Sequence, residues 1–120
     1  MQKALINLAT GLEDPERATV AMLVASGSAA QGKETIVFLT KEAVRLAVPG
    51  FGAVVACEGC PPLPELLERF ESAGGRYFAC PYCVDARHVD RNGLKPNAEI
   101  GGITKIWEWA GDDPVLALSY

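Results

Sequence analysis

The sequence predicts one α/β domain over residues 1–120, a three-layer α/β/α sandwich around a mainly parallel sheet of four or five strands. Three observations predict it. Short apolar runs recur at Lys3–Ala9, Thr35–Thr40, Arg76–Ala79 and Val115–Ser119 without polar alternation, as expected for strands covered on both faces. Segments of helical period separate them, and parallel strands need such crossovers. No repeat, linker or low-complexity stretch divides the chain, and 120 residues suit a single core.

Each element has a local reason. Lys3–Ala9 reads as the first strand and Gly11–Asp14 as a loop. In Asp14-Pro15-Glu16, Asp caps a helix, Pro fits its first position and Glu suits its positive end. That helix runs to about Gln31, where Gly32 can end it in the left-handed conformation. It is rich in Ala, Val and Leu, so one side is expected on the sheet and another on a second subunit. Thr35–Thr40 is a second buried strand, and Lys41–Val48 a short helix stopped by Pro49-Gly50. Phe51–Cys57 is read as a further short strand. Pro61–Ala73 is a helix with Leu63, Leu66, Leu67 and Phe70 on one face, ended by Gly74-Gly75. Arg76–Ala79 is a strand, Pro81–His88 a helix and Asp90–Pro96 a polar turn region. Asn97 is expected to cap a last helix to about Ala110, its core face formed by Ile103, Ile106, Trp107 and Ala110. Gly111–Pro114 turns the chain into the closing strand, Val115–Ser119.

Composition narrows the function classes. Half the residues are apolar and the net charge is −4, with 11 Lys and Arg scattered along the chain. A nucleic-acid binder carries clustered basic charge, so neither nucleic acid nor an anionic membrane surface is expected as a partner. The longest weakly polar run, Ala18–Ala30, falls short of the roughly 20 residues a membrane span needs. The first residues carry no cleavage-type pattern, and the expected compartment is the cytosol.

The chemistry is expected at four cysteines, Cys57, Cys60, Cys80 and Cys83. In a reducing cytosol such pairs signal metal or redox chemistry and not structural disulfides. In α/β sheets, sites form beyond the carboxyl ends of strands, where both pairs are expected to meet in one pocket. Cys80 closes a strand and Pro81 opens a helix, so the thiol faces unpaired amides and the positive helix end, which favour the thiolate. Cys83, one turn on, is placed to resolve a disulfide or persulfide on Cys80. Cys57, Cys60 and Arg87 are expected to line the same pocket, with Arg87 and His88 adding positive charge. His88, the only histidine, is otherwise a surface or capping residue.

Two other readings of the residues stand. Cys-x2-Cys-x19-Cys-x2-Cys has the spacing of a four-thiolate zinc site, which would use Cys57, Cys60, Cys80 and Cys83 in a structural or interaction module. Cys80-Pro81-Tyr82-Cys83 resembles the active-site tetrapeptide of glutaredoxins, a dithiol/disulfide oxidoreductase motif. The 37 residues after Cys83 hold neither that family's Thr-Val-Pro turn nor its Gly-Gly loop.

A longer resemblance spans nearly the whole chain. Asp14-Pro15-Glu16-Arg17-Ala18 opening a long apolar helix is followed by Ile36-Val37-Phe38-Leu39-Thr40. Leu63–Gly75 leads into Arg76-Tyr77-Phe78-Ala79-Cys80, then Val84-Asp85-Ala86-Arg87, a last helix and Val115–Tyr120. In order and spacing this resembles the DsrE/DsrF-like (YchN-like) family of sulfur-relay proteins. The resemblance implies an α/β/α domain assembled as a trimer or hexamer; no cofactor is expected, with zinc on the four cysteines as the alternative. It implies that Cys80 accepts sulfur as a persulfide from donor proteins or small thiols and passes it on, as carrier or sulfurtransferase. The Cys57–Cys60 pair departs from that family's pattern and allows a metal or a two-step thiol relay on the same scaffold.

Overall fold

In the computed structural model, Lys3–Leu8 (β1), Glu34–Leu39 (β2), Arg76–Ala79 (β3), Ala98–Ile100 (β4) and Val115–Ser119 (β5) form one sheet. All neighbours are parallel, in the order β4-β3-β2-β1-β5. The structure describes residues 2–120; Met1, counted with the domain above, lies outside them. The helices are Pro15–Ala30 (α1), Leu63–Ser72 (α2), Pro81–Ala86 (α3) and Ile103–Ala110 (α4). Two 3-10 helices, Lys41–Ala47 and Phe51–Val54, lie between β2 and α2.

Both faces of the sheet are covered, unequally. On one side α1 and α2 pack Ala18, Met22, Leu66 and Phe70 against Ile6, Val37, Leu39 and Tyr77. On the other, α4 sets Ile106 on Ile36, Phe38 and Phe78. The alternation in β1 follows from this: Ala4, Ile6 and Leu8 are buried beneath α1, while Lys3, Leu5 and Asn7 are half-buried on the thinner side. The Asp14 carboxylate accepts from the Arg17 amide at 3.1 Å and starts α1 as the sequence predicts.

Several expectations are corrected. Phe51–Cys57 is not a strand; its first residues form a 3-10 turn that seats buried Gly52 against α2. α2 begins at Leu63 and not Pro61: Pro62 is still extended, with ψ 125°, and stands as the residue before the first turn. α3 stops at Ala86, and His88 adopts φ 55° just beyond it. Asn97 does not open the last helix: Ala98–Ile100 pairs with β3 as edge strand β4, and Gly101-Gly102 separate it from α4. The core stripe of α4 is therefore Ile106, Trp109 and Ala110, while Ile103 and Trp107 face out, 63% and 70% exposed. Trp109 donates its indole N–H to Glu34 at 2.8 Å, and the Lys3 ammonium caps the carbonyls of Trp109 and Ala110. Among the described residues no helix is long and apolar enough to cross a membrane.

Candidate functional site

Cys80 follows β3 directly. Its amide donates to the Leu39 carbonyl at 2.9 Å, continuing the β2–β3 ladder by one residue. Its carbonyl then accepts from the Val84 amide at 3.0 Å and closes the first turn of α3. Pro81 takes the first helical position, where its missing N–H costs nothing. The thiol is half-buried and free, and its side chain lies against the Ile36, Phe38, Phe78 and Ile106 cluster. Sulfur is polarisable and packs favourably near aromatic rings. Gly101 and Gly102 flank the same point: the Gly101 amide donates to the Ala79 carbonyl at 3.0 Å, and Gly102 abuts the Pro81 ring. The Gly-Gly doublet was the sequence signal for this close approach, and sequence reasoning did not use it.

The helix behind Cys80 is shorter than expected. Its six residues sum few peptide dipoles, and the Cys80 side chain makes no capping hydrogen bond to its amides. Cys83 is also free and half-buried, but it packs against the larger core, on the α1–α2 side. The two free thiols thus stand three residues apart in sequence and touch different apolar clusters.

Arg87 does not join the Cys57 and Cys60 pocket. Its Nε donates to Glu42 Oε1 at 2.8 Å, and its Nη1 donates to the Cys83 carbonyl at 3.4 Å. Glu42 Oε2 takes the Nε of Arg45 at 2.8 Å. The Arg45 and Arg87 guanidiniums hold the Glu42 carboxyl below its usual range. Arg87 therefore ties α3 to the first 3-10 helix and fixes the backbone beneath Cys83. It shares that one carboxylate with Arg45. Sequence reasoning missed Glu42 because the pairing spans 45 residues.

The expectation of four reduced thiols is corrected at the other pair. Cys57 and Cys60 are joined as a disulfide, with Cα atoms 5.5 Å apart. Their loop walls an open apolar cavity of about 370 Å³ with Val55, Ala56, Pro61, Pro62 and Leu63. Cys80, Cys83 and Arg87 are not part of that wall. Among the described residues no group of three or more His, Cys, Asp or Glu is placed to hold a metal ion. The four-thiolate zinc set of Cys57, Cys60, Cys80 and Cys83 is thus not assembled: two of its sulfurs are spent on each other.

A parallel α/β/α domain with a free thiol at the carboxyl end of an interior strand is a cysteine-bearing scaffold of the doubly covered kind. Residues 2–116 match the DsrE/DsrF-like family, and the chain belongs to it. Among solved structures it is similar to the ychN protein from E. coli, with 20% identity, full coverage of both chains and a TM-score of 0.78. It is similar also to MTH1491 from Methanobacterium thermoautotrophicum, a protein of unknown function, at 9% identity and TM-score 0.65, covering 98% of this chain and 100% of that one. BT1422 from Bacteroides thetaiotaomicron, likewise of unknown function, matches at 16% identity and TM-score 0.61, covering 98% and 95%. At these identities the likeness is one of fold. No curated protein matches the sequence.

Proposed function

We propose that this chain is a cytosolic sulfur-relay protein that carries sulfane sulfur as a persulfide on Cys80, with Cys83 as the resolving thiol. The observation that carries the reading is the free, half-exposed Cys80 thiol directly after β3 in a DsrE/DsrF-like domain. The Cys80 thiolate attacks the outer sulfur of a donor persulfide, R–S–SH. A new S–S bond forms on Cys80, the donor S–S bond breaks, and the donor thiolate leaves. An acceptor thiolate then attacks the outer sulfur and restores Cys80. Attack by Cys83 on the Cys80 sulfur instead expels hydrosulfide and leaves a Cys80–Cys83 disulfide. Donor and acceptor are protein or small-molecule thiols.

Incubation with a persulfide donor, followed by peptide mass mapping, tests the assignment. The Cys80 peptide is expected to gain one sulfur atom, and Cys80→Ser to abolish the gain. Cys83→Ser is expected to load normally but to release no hydrosulfide. Loading that persists in Cys80→Ser would falsify the mechanism.

The protein is further proposed to act as a homo-oligomer, a trimer or hexamer. Supporting this, Val20 and Leu23 on α1 and Leu116 and Leu118 on β5 remain exposed. Exposed apolar side chains that gather into one patch mark a contact.

A further inference from the structure

We infer that the Cys57–Cys60 disulfide is a second redox centre, an exchange-active dithiol/disulfide couple whose substrates are thiols, distinct from the persulfide site at Cys80. It goes beyond the sulfur-relay reading and does not depend on it.

The local backbone is built to hold two sulfurs together. The Cys57 carbonyl accepts from the Cys60 amide at 3.3 Å, closing a four-residue turn. Gly59, third in that turn, has φ +78°, the left-handed value a type II turn requires there and glycine supplies without strain. The turn is closed by its own backbone hydrogen bond, which places the two Cα atoms 5.5 Å apart, within bonding range, while the dithiol is free to relax it.

The bond has little structural work to do. Both cysteines belong to one loop, and no other element is tied by it. The entropy a cross-link removes from the unfolded chain grows with the loop it closes, and this loop is four residues. Both cysteines are half-exposed at the edge of an apolar cavity, so a thiolate can reach the bond. A preorganised pair that staples nothing and stands open to attack has the properties of an exchange site.

The step balances as two-electron chemistry. A thiolate R–S⁻ attacks one sulfur of the pair; the Cys57–Cys60 bond breaks and the other sulfur leaves as thiolate. A second R–S⁻ attacks the R sulfur of the mixed disulfide, releasing R–S–S–R and the remaining cysteine thiolate. The protein gains two electrons, two thiol substrates are oxidised, and the protein thiolates take protons from water.

The test uses the full chain with Cys80→Ser and Cys83→Ser, equilibrated in buffers of reduced and oxidised dithiothreitol and trapped by alkylation for peptide mapping. Cys57 and Cys60 are expected to become labelled together in one transition while far-UV circular dichroism still reports the folded chain. Gly59→Ala strains the closed turn and is expected to lower the disulfide-to-dithiol ratio about five- to thirty-fold. Cys57→Ser treated with glutathione disulfide is expected to carry a mixed disulfide on Cys60. A pair that resists reduction until the chain unfolds, or two cysteines that label independently, overturns the proposal. Persulfide loading of Cys80 in the parent chain is read separately, so failure of one site does not imply failure of the other.

Discussion

Single side chains show where charge and burial set the pH limits of the fold. Glu42 joins two arginines from different elements, and its pKa lies below the ordinary 4.5. Because the folded state favours the ionised carboxylate, its contribution is fully present above pH 4.5 and is lost as pH falls through the lowered folded value. Asp85 beside Arg91 and Asp113 beside Lys3 shift in the same direction. The thermal midpoint is therefore expected to drop on acidification below the carboxylate range, and to drop less in Glu42→Gln, as followed by circular dichroism against pH. Tyr77 sets the alkaline limit. It is fully buried, its hydroxyl donates to Glu71 Oε2 at 3.0 Å, and that oxygen also takes Lys95 at 2.8 Å. Burial first, and the Glu71 charge second, push the phenol far above its ordinary 10.0. The folded state thus keeps a proton that the unfolded chain releases, so this contribution is intact below pH 10 and falls as pH rises beyond it. Tyr77→Phe is expected to cost about 1 kcal/mol at neutral pH and to flatten the alkaline slope, both read from denaturant melts. Of these partners, Arg45 on Glu42 is an i,i+3 neighbour open to sequence reading, whereas Arg87 on Glu42, Lys95 on Glu71 and Lys3 on Asp113 join residues that only the fold brings together.

Elements were legible to the degree that their signal was local. Asp14-Pro15-Glu16 names the start of α1 by itself, and Leu63, Leu66, Leu67 and Phe70 name the buried face of α2. β4 was missed because three residues, Ala98–Ile100, are too few for periodicity to register. In α4 two overlapping apolar stripes share Ile106 and Ala110, one through Ile103 and Trp107 and one through Trp109, and helical period alone does not choose between them. Phe51–Cys57 was misread for a related reason: a short apolar run carries no period that separates strand from turn. Of the site, the position of Cys80 was legible, since strand, cysteine and proline are adjacent. The bonding of Cys57 to Cys60 was not, because an expected reducing compartment outweighed their spacing. Two glycines test the packing at this scale. Gly27 is exposed within α1, and a methyl added there meets nothing within 4 Å. Gly27→Ala is expected to stabilise by about 0.5–1 kcal/mol through helix propensity alone. At buried Gly75, which joins α2 to β3, a methyl would overlap the Phe70 ring. Gly75→Ala is expected to destabilise by about 1–3 kcal/mol, so the two substitutions should move the urea midpoint in opposite directions.

At the scale of the molecule, the sheet order leaves apolar surface on both faces. β5 lies outermost beside β1, with Leu116 and Leu118 in register with Ala4 and Ile6 and so on the face that carries α1. They are 60% and 38% exposed. Val20 continues this surface, sharing a shallow cavity with Tyr120 just past the strand. The outer side of α4 presents a second patch, Ile103 and Trp107, on the opposite face of the sheet. Two separate patches matter for assembly. A ring closes through a heterologous contact, and stacking two rings requires a second contact related by a two-fold axis. A single patch that pairs with itself closes only a dimer, whereas ring and stacking contacts together need more than one surface, and two separate patches can serve different contacts. Substituting the patches separately therefore distinguishes the stages. Leu116→Lys with Leu23→Glu is expected to yield a species of lower mass than the parent in light scattering at micromolar concentration. Trp107→Glu is expected to remove a different step and give a different intermediate mass. Both variants keep the buried core, so circular dichroism should match the parent. A parent chain that is already monomeric, or substitutions that leave its mass unchanged, would show that these side chains face water and not a second copy.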